Sequence, residues 1–223
     1  SARVGTSLQG LGAAELSYQG ALPYAKDRLS MRALSGKKYP DKIADPIICH
    51  ADVRRMLLTQ KAFAEGGRAM VYYAAKYADF MLFGETEAVR NEADDQLGFL
   101  TPILKAFLTE TGSEAANLGL QVFGGHGYIA EWGMEQIVRD TRISTLYEGT
   151  TGIQALDLIG RKVLGDRGKQ LRYWTRIIHR FCRDNENRKM QEFIKPLRRH
   201  YKEWGGFTNK IGLKAMKNAD EVG

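Results

Sequence analysis

The amino-acid sequence predicts an all-α protein: an antiparallel four-helix bundle with shorter helices between the main ones and an additional basic helical tail. Three observations predict it. Apolar residues recur at three- and four-residue steps over long stretches, the spacing that lines one face of a helix. Alternating apolar and polar runs bounded by turn residues, the mark of half-buried strands, are missing from all 223 residues. Turn-forming glycine and proline clusters fall at a few breaks, as a bundle with short connections requires.

In chain order, residues 1 to about Arg32 read as the first helix, with Pro23 expected to bend it. "SGKKYPDKIADP" (35–46) has two prolines and a glycine among alternating charges and reads as a surface loop. The segment 53–83 carries Met56, Leu57, Phe63, Met70, Tyr73 and Tyr77 on one helical face. A second long helix is expected from about Thr86 to Phe123, its first turns loaded with acids, as the helix dipole favours, and Pro102 as a kink or irregular turn. "GGHGYIAEWG" (124–133) breaks the pattern before a short helix through "MEQIVRDTRI". The next helix, "TTGIQALDLIGRKVL", has Thr150 or Thr151 available as N-cap. "GDRGK" (165–169) reads as a hinge, dividing a bundle domain of residues 1–164 from a helical extension of residues 165–223.

Composition narrows the function classes. Hydrophobic content of 43% and charged content of 26% are those of a folded globular chain. No apolar run approaches the roughly 18 residues that span a bilayer, and no signal-peptide pattern opens the chain. A cytoplasmic location is the expectation. The opening "SARVGTSLQGLGAAEL" already reads as helix interior, so the sequence is expected to be part of a longer protein. Cys49 and Cys182 lack any CxxC partner, and His50, His126, His179 and His200 show no metal-ligand spacing, so no metal site is expected. The net charge of +7 belongs to the tail: from Gly165 onward there are 15 Lys/Arg against 7 Asp/Glu, whereas residues 1–164 hold 18 against 19.

Two stretches could carry chemistry. "GHGYIA" (125–130) matches the form of a dinucleotide fingerprint, but the helical "EAANLGLQVF" before it is not the strand that motif needs. Gly124, Gly125 and Gly127 then either end a long helix through left-handed dihedrals or expose backbone N–H groups that cradle a phosphate. In "STLYEGTTGIQALDLIG" (144–160), Glu148 follows an aromatic, Tyr147, and precedes Gly149, which lets the chain turn sharply. A helix N-terminus comes next, where unpaired N–H groups attract anions. Glu148 reads either as plain loop punctuation or as a general base held at the mouth of a helix.

Residues 121–164, "QVFGGHGYIAEWGMEQIVRDTRISTLYEGTTGIQALDLIGRKVL", closely resemble the signature of the acyl-CoA dehydrogenases, flavoenzymes that desaturate acyl-CoA thioesters. The likeness lies in a Gln before the Gly-Gly-x-Gly-Tyr turn, an Arg-Asp pair, and Tyr-Glu-Gly-Thr followed by Ile-Gln. "ALPYAKDRLSMRALSG" is similar to the family's Tyr-Ala-x-x-Arg segment, and "ARVGTSLQGLG" to the helix entering its C-terminal domain; the tail resembles the longer extension of one bacterial branch. The resemblance implies that Glu148 removes the thioester α-proton while the β-hydrogen leaves as hydride to N5 of FAD. Such a base acts as the thioester carbonyl is polarised, in the family by the base's own backbone N–H and a flavin hydroxyl. Some relatives draw the base from the position before the arginine of the opening helix; here that is Ala2, which cannot ionise. By the same resemblance Arg3, Tyr147 and Gly149 lie at the substrate. Arg28, Gln121, Gly124, Gly125 and Thr150 contact FAD, with Arg28 and the glycine turn reaching a neighbouring subunit's cofactor.

This chain departs from the pattern at Met31-Arg32, where many relatives have Phe-Gly, and at Gly152, where many have a Gln that contacts flavin. Arg139 and Asp140 are expected to be solvated or locally paired. The resemblance further implies an acyl-CoA substrate, an electron-transfer flavoprotein as electron acceptor, and a homodimer or homotetramer. An acyl-CoA oxidase, passing electrons to oxygen, is the rival within the fold. Outside it, the rival is a non-catalytic bundle that binds a membrane surface or a protein partner. Its basis is the tail, "RYWTRIIHRFCRDNENRKMQEFIKPLRRHYKEW", which mixes aromatics and arginines at helical spacing. That pattern fits helices packed on the bundle with a charged outer face, or an interfacial amphipathic helix. Nucleic-acid binding is not expected, because no binding module accompanies the charge.

Overall fold

The computed structural model describes residues 2–222, and among them the only regular elements are helices. Three long helices make the frame: α1 (Ala2–Asp27), α2 (Ala51–Phe83) and α3 (Glu87–Phe123). A three-residue connection between α2 and α3 turns the chain back on itself. Thr86 caps α3 by accepting a hydrogen bond from the Val89 N–H at 3.3 Å. Short α4 (Gly125–Tyr128), α5 (Met134–Arg142) and α6 (Thr151–Leu156) follow, and α6 continues as a π-helical segment, Asp157–Leu164. Together with that segment they supply the fourth face of the bundle, against α3 and α1. The tail forms α7 (Lys169–Asp184) and α8 (Gln191–Ala215).

Close approach of α1 to α3 depends on glycine. A Cβ at Gly10 would stand 2.1 Å from the Leu108 carbonyl oxygen, and one at Gly112 would stand 2.4 Å from the Gly10 carbonyl oxygen. The two backbones therefore touch with no side chain between them. A buried polar knot fixes the register of all three helices. The Ser17 hydroxyl shares its proton between Gln60 Oε1 at 2.9 Å and the Ala115 carbonyl at 2.8 Å, while Gln60 Nε2 donates to the Met56 carbonyl. Around this frame Phe99, Leu104 and Leu108 are each about 1% exposed. Burying each such side chain contributes roughly 1.5–3 kcal/mol.

The first helix is shorter than its pattern suggests, ending at Asp27 rather than Arg32. Beyond it the backbone pairs with the end of the following loop: Ile47 N–H donates to the Arg28 carbonyl, Ser30 N–H to Asp45, and Asp45 N–H to Met31. The loop is closed by one carboxylate. Asp45, fully buried, accepts from the N–H groups of Ala33, Lys38 and Tyr39 and from Arg32. Arg32 also donates to the Tyr39 and Lys42 carbonyls, so the residue that departs from the family pattern fastens the loop. Pro102 does not interrupt α3, which runs continuously through it. Residues 165–168 are turns, and Leu171 and Trp174 of α7 enter the same core cluster as Val71, Ala74, Tyr77 and Phe99. The arginines of α7 lie on its outer side. Among the described residues no helix is long and apolar enough to cross a membrane.

Candidate functional site

The residues singled out in the sequence fall into two groups at opposite ends of α1. Arg3 opens that helix and Arg28 follows its last turn. At 1.5 Å per residue the two stand about 37 Å apart.

Tyr147, Glu148, Gly149 and Thr150 form the turn that Arg3 reaches through Gln154. Glu148 is exposed and holds a left-handed backbone, φ 57°, followed by Gly149 at φ 92°. For glutamate that conformation costs about 1–2 kcal/mol, so the surroundings must enforce it. Gln154, 2% exposed, does so: its Nε2 donates to the Glu148 carbonyl at 3.1 Å and the Gly149 carbonyl at 3.0 Å. Gln154 is itself oriented by Arg3, whose Nη1 donates to its Oε1 at 2.9 Å and to Asp157 Oδ2 at 2.5 Å. Asp157 is buried. Burial alone would raise its carboxyl, but the bond and charge of Arg3, with Arg161 and Lys162, hold it below the ordinary range. Its second oxygen, Oδ1, lies 2.8 Å from Arg161 Nε, close enough for an ion pair but without hydrogen-bond alignment.

These contacts leave several polar groups of the turn unengaged. The Glu148 N–H donates to nothing among the described residues. Thr150 occupies the N-cap position of α6, but its side chain makes no capping bond. Thr151 instead donates to Glu110, and the Tyr147 hydroxyl donates to Gln9. Ile143, Leu146, Tyr147, Ile153 and Leu156, all within eight residues of Glu148 in the chain, are exposed and make up an apolar apron. Arg3 is engaged in holding the turn rather than projecting from it.

At the other end Arg28, Gly124 and Gly125 line one cleft of about 390 Å³ with Tyr24, Phe123 and His126. Gly124 has φ 59° and ψ −137°, a conformation open in practice only to glycine. It ends α3 there, but without left-handed helical dihedrals, and Gly125 and Gly127 lie within α4 with no positive φ, so termination falls to Gly124 alone; its open side also suits the phosphate-cradle reading: a Cβ at Gly124 or Gly125 would meet nothing within 4 Å. Arg28 is exposed, with no hydrogen bond or ion pair from its side chain among the described residues, and Gln121 is exposed on the neighbouring turn. Aromatic packing stiffens the wall. Tyr24 stacks on Phe123 at 3.9 Å, His126 stacks on Trp132 at 5.0 Å, and the Tyr24 hydroxyl lies 2.9 Å from His126 Nδ1. An exposed guanidinium beside an open glycine turn is a fitting donor set for a phosphate-bearing ligand. A cleft of about 950 Å³ among α7, α8 and the end of the π-helical segment includes none of the predicted residues.

Residues 1–164 match the family described as "Acyl-CoA dehydrogenase, C-terminal domain". The chain belongs to the acyl-CoA dehydrogenase family. A 3-methylmercaptopropionyl-CoA dehydrogenase of Ruegeria pomeroyi is 47% identical over 178 residues, 80% of this chain and 30% of that protein. A butyryl-CoA dehydrogenase of Syntrophomonas wolfei is 33% identical over 213 residues, 96% of this chain and 34% of that protein, an alignment that reaches into the basic tail. The chain thus spans about a third of the length of the curated relatives it matches. Among solved structures, Caenorhabditis elegans ACDH-11 in complex with C11-CoA superposes with TM-score 0.78 at 18% identity, over 97% of this chain and 34% of that one. That likeness extends the shared fold through α7 and α8.

Sequence reasoning missed Gln154, Asp157 and Lys105, a buried lysine in α3 whose Nζ donates to the Thr145 carbonyl at 3.2 Å. Gln154 stands in the Ile-Gln pair that carries the family signature. The signal for Lys105 is its place among Thr101, Leu108 and Gly112 on one buried helical face. Arg139 and Asp140 are exposed and do not pair; Asp140 accepts from Gln136 instead.

Proposed function

We propose that the chain is the C-terminal portion of an FAD-dependent acyl-CoA dehydrogenase and that Glu148 is its α-proton base. The observation that carries this reading is the clamped turn. Arg3 and Gln154 hold Glu148 in a left-handed conformation through its carbonyl, leaving its carboxylate exposed and its N–H unpaired. An acyl thioester lying on the apolar apron receives two things from one residue. The Glu148 N–H donates to the thioester oxygen as negative charge develops there, and the carboxylate takes the proton from the α-carbon. Bound FAD supplies the acceptor for the β-hydrogen and its electron pair. Tyr147 and Gly149 line the acyl side, and the free Thr150 hydroxyl is available to the flavin.

Arg28, Gln121, Gly124 and Gly125 hold the diphosphate end of a second flavin. The about 37 Å along α1 is too far for one dinucleotide to span both groups, which supports an oligomer in which each copy serves its neighbour's cofactor. A homodimer or homotetramer meets that requirement, with an electron-transfer flavoprotein as acceptor. On its own, the 223-residue chain has negligible dehydrogenase activity and binds FAD weakly at most. In the full-length protein, Glu148→Gln retains bound flavin but no longer bleaches it on mixing with acyl-CoA. Near-normal flavin reduction in that variant would sink the assignment. A slow reaction of the reduced protein with oxygen separates the dehydrogenase from the oxidase.

A further inference from the structure

The side chain of Lys105 is completely buried in the middle of α3. Lysine is almost never fully buried without a pairing charge. An ammonium has three donors, yet the one hydrogen bond of Lys105 among the described residues goes to the Thr145 carbonyl at 3.2 Å. That carbonyl precedes Glu148 by three residues and sits at the base of the turn that Gln154 clamps from the other side. A neutral acceptor alone is poor compensation for removing an amine from water. Burial pushes the Lys105 amine down, and the carboxylates of Glu110 and Glu148 pull it back up.

The other charged groups around this turn have hydrogen-bond partners, although Glu110 keeps its charge and acts on Lys105 ahead of Glu148. Arg142, at the end of α5, donates to the Thr145 hydroxyl. Arg3 of α1 is taken up by Asp157 and Gln154. Glu110, on α3 itself, accepts from Thr151 at the start of α6. Glu148 is left as the carboxylate near Lys105 that accepts no hydrogen bond among the described residues.

We propose that Lys105 is a positioning residue for Glu148: it fastens the Thr145 carbonyl beneath the turn and lends the Glu148 carboxylate a buried positive charge. The inference rests on the reading of Glu148 as the α-proton base. Two measurements test it. In the full-length, flavin-loaded protein, Lys105→Met keeps the bulk of the side chain and removes its charge and donors. The limiting rate of flavin reduction by acyl-CoA is expected to fall about 10- to 100-fold, as misplacement of a reacting group does, with the acyl-CoA affinity unchanged. A rate within twofold of wild type, or a loss confined to affinity, overturns the proposal.

The second measurement leaves Lys105 in place and involves no flavin. In the 223-residue chain labelled with [13Cε]-lysine, the Lys105 resonance is titrated in wild type and in Glu148→Gln. Removing the carboxylate charge is expected to lower the Lys105 midpoint. A midpoint that does not move overturns the proposal even if Lys105→Met does not fold. Near-normal flavin reduction in full-length Glu148→Gln would instead count against Glu148 as base, and the titration would still decide the coupling.

Discussion

Replacing Gln154 by leucine tests how the Glu148 turn is held. Gln154 is 2% exposed and makes three hydrogen bonds: one from Arg3 at 2.9 Å, and two to the carbonyls of Glu148 and Gly149 at 3.1 and 3.0 Å. Leucine fills nearly the same volume, so no sizeable cavity term enters. Each lost bond is worth about 1 kcal/mol net. Arg3 keeps Asp157, and carbonyls at an exposed turn regain water, which trims the sum to about 2–3 kcal/mol. Urea denaturation of the 223-residue chain, followed by helical circular dichroism, measures that loss. The effect on chemistry is expected to be larger than the effect on folding. Without Gln154 the left-handed backbone at Glu148 is no longer enforced, and its cost of about 1–2 kcal/mol drives the turn toward other conformations. Displacing a reacting group by an ångström costs about 100-fold in rate, which stopped-flow bleaching of the flavin in the full-length protein would register. A stability loss below about 1 kcal/mol, or an unchanged bleaching rate beside a large stability loss, refutes the clamp.

Asp45 gives the chain an acid-sensitive joint. The Ala33 N–H bond, with those of Tyr39 and Lys38 and the bond of Arg32, brings its carboxyl to about 2. A carboxyl lower in the folded than in the unfolded state contributes stability fully present above the unfolded value of about 3.9 and lost as pH falls toward the folded one. Urea titrations from pH 6 down to 2 should therefore show wild type and Asp45→Asn converging below about pH 4; a gap that stays constant with pH is the contrary result. Gly10→Ala, whose Cβ would stand 2.1 Å from the Leu108 carbonyl oxygen, forces α1 away from α3. It is expected to cost at least about 1–3 kcal/mol, readable as a lowered urea midpoint, whereas Gly12→Ala, with nothing within 4 Å, should be neutral or slightly stabilising. Equal effects at the two positions would contradict the backbone contact.

The long helices were legible because their signal is summed over many residues. The 53–83 pattern differs from the observed Ala51–Phe83 by two residues, and Thr86 marks the start of α3 as its cap. The first helix was overextended because Leu29 and Met31 prolong an apolar rhythm that local sequence cannot distinguish from helix. What stops it is tertiary: pairing of residues 28–31 with residues 45–47, fourteen positions on in the closest pair, Met31 with Asp45. Asp45 looked like one more charge in a surface loop, and the loop is indeed at the surface, but its fourfold acceptor role exists only once three N–H groups converge. Nothing in "IQALDLIG" announces the π-helical register that begins at Asp157, the residue that anchors Arg3.

The candidate site divides along the same line. Motif spacing was enough to select Glu148 and Arg28, and helix length alone separates them, since α1 runs almost unbroken from one to the other. Of the support beneath Glu148, Arg3 and Gln154 were marked only by the resemblance; their supporting roles, and Lys105 altogether, were not readable, because each is chemically ordinary where it stands. A glutamine after isoleucine is unremarked in a helix, and a lysine in a 37-residue helix reads as outer surface. Lys105 becomes informative only by its neighbours at three- and four-residue steps, Thr101, Leu108 and Gly112, all buried. A lone cation on such a stripe is costly unless something charged or polar waits opposite. Here what waits is the turn that ends in Glu148. The signal in the sequence for a supporting residue is thus a violated pattern, a charge on a buried face, whereas the signal for the residue proposed as the base is a kept one.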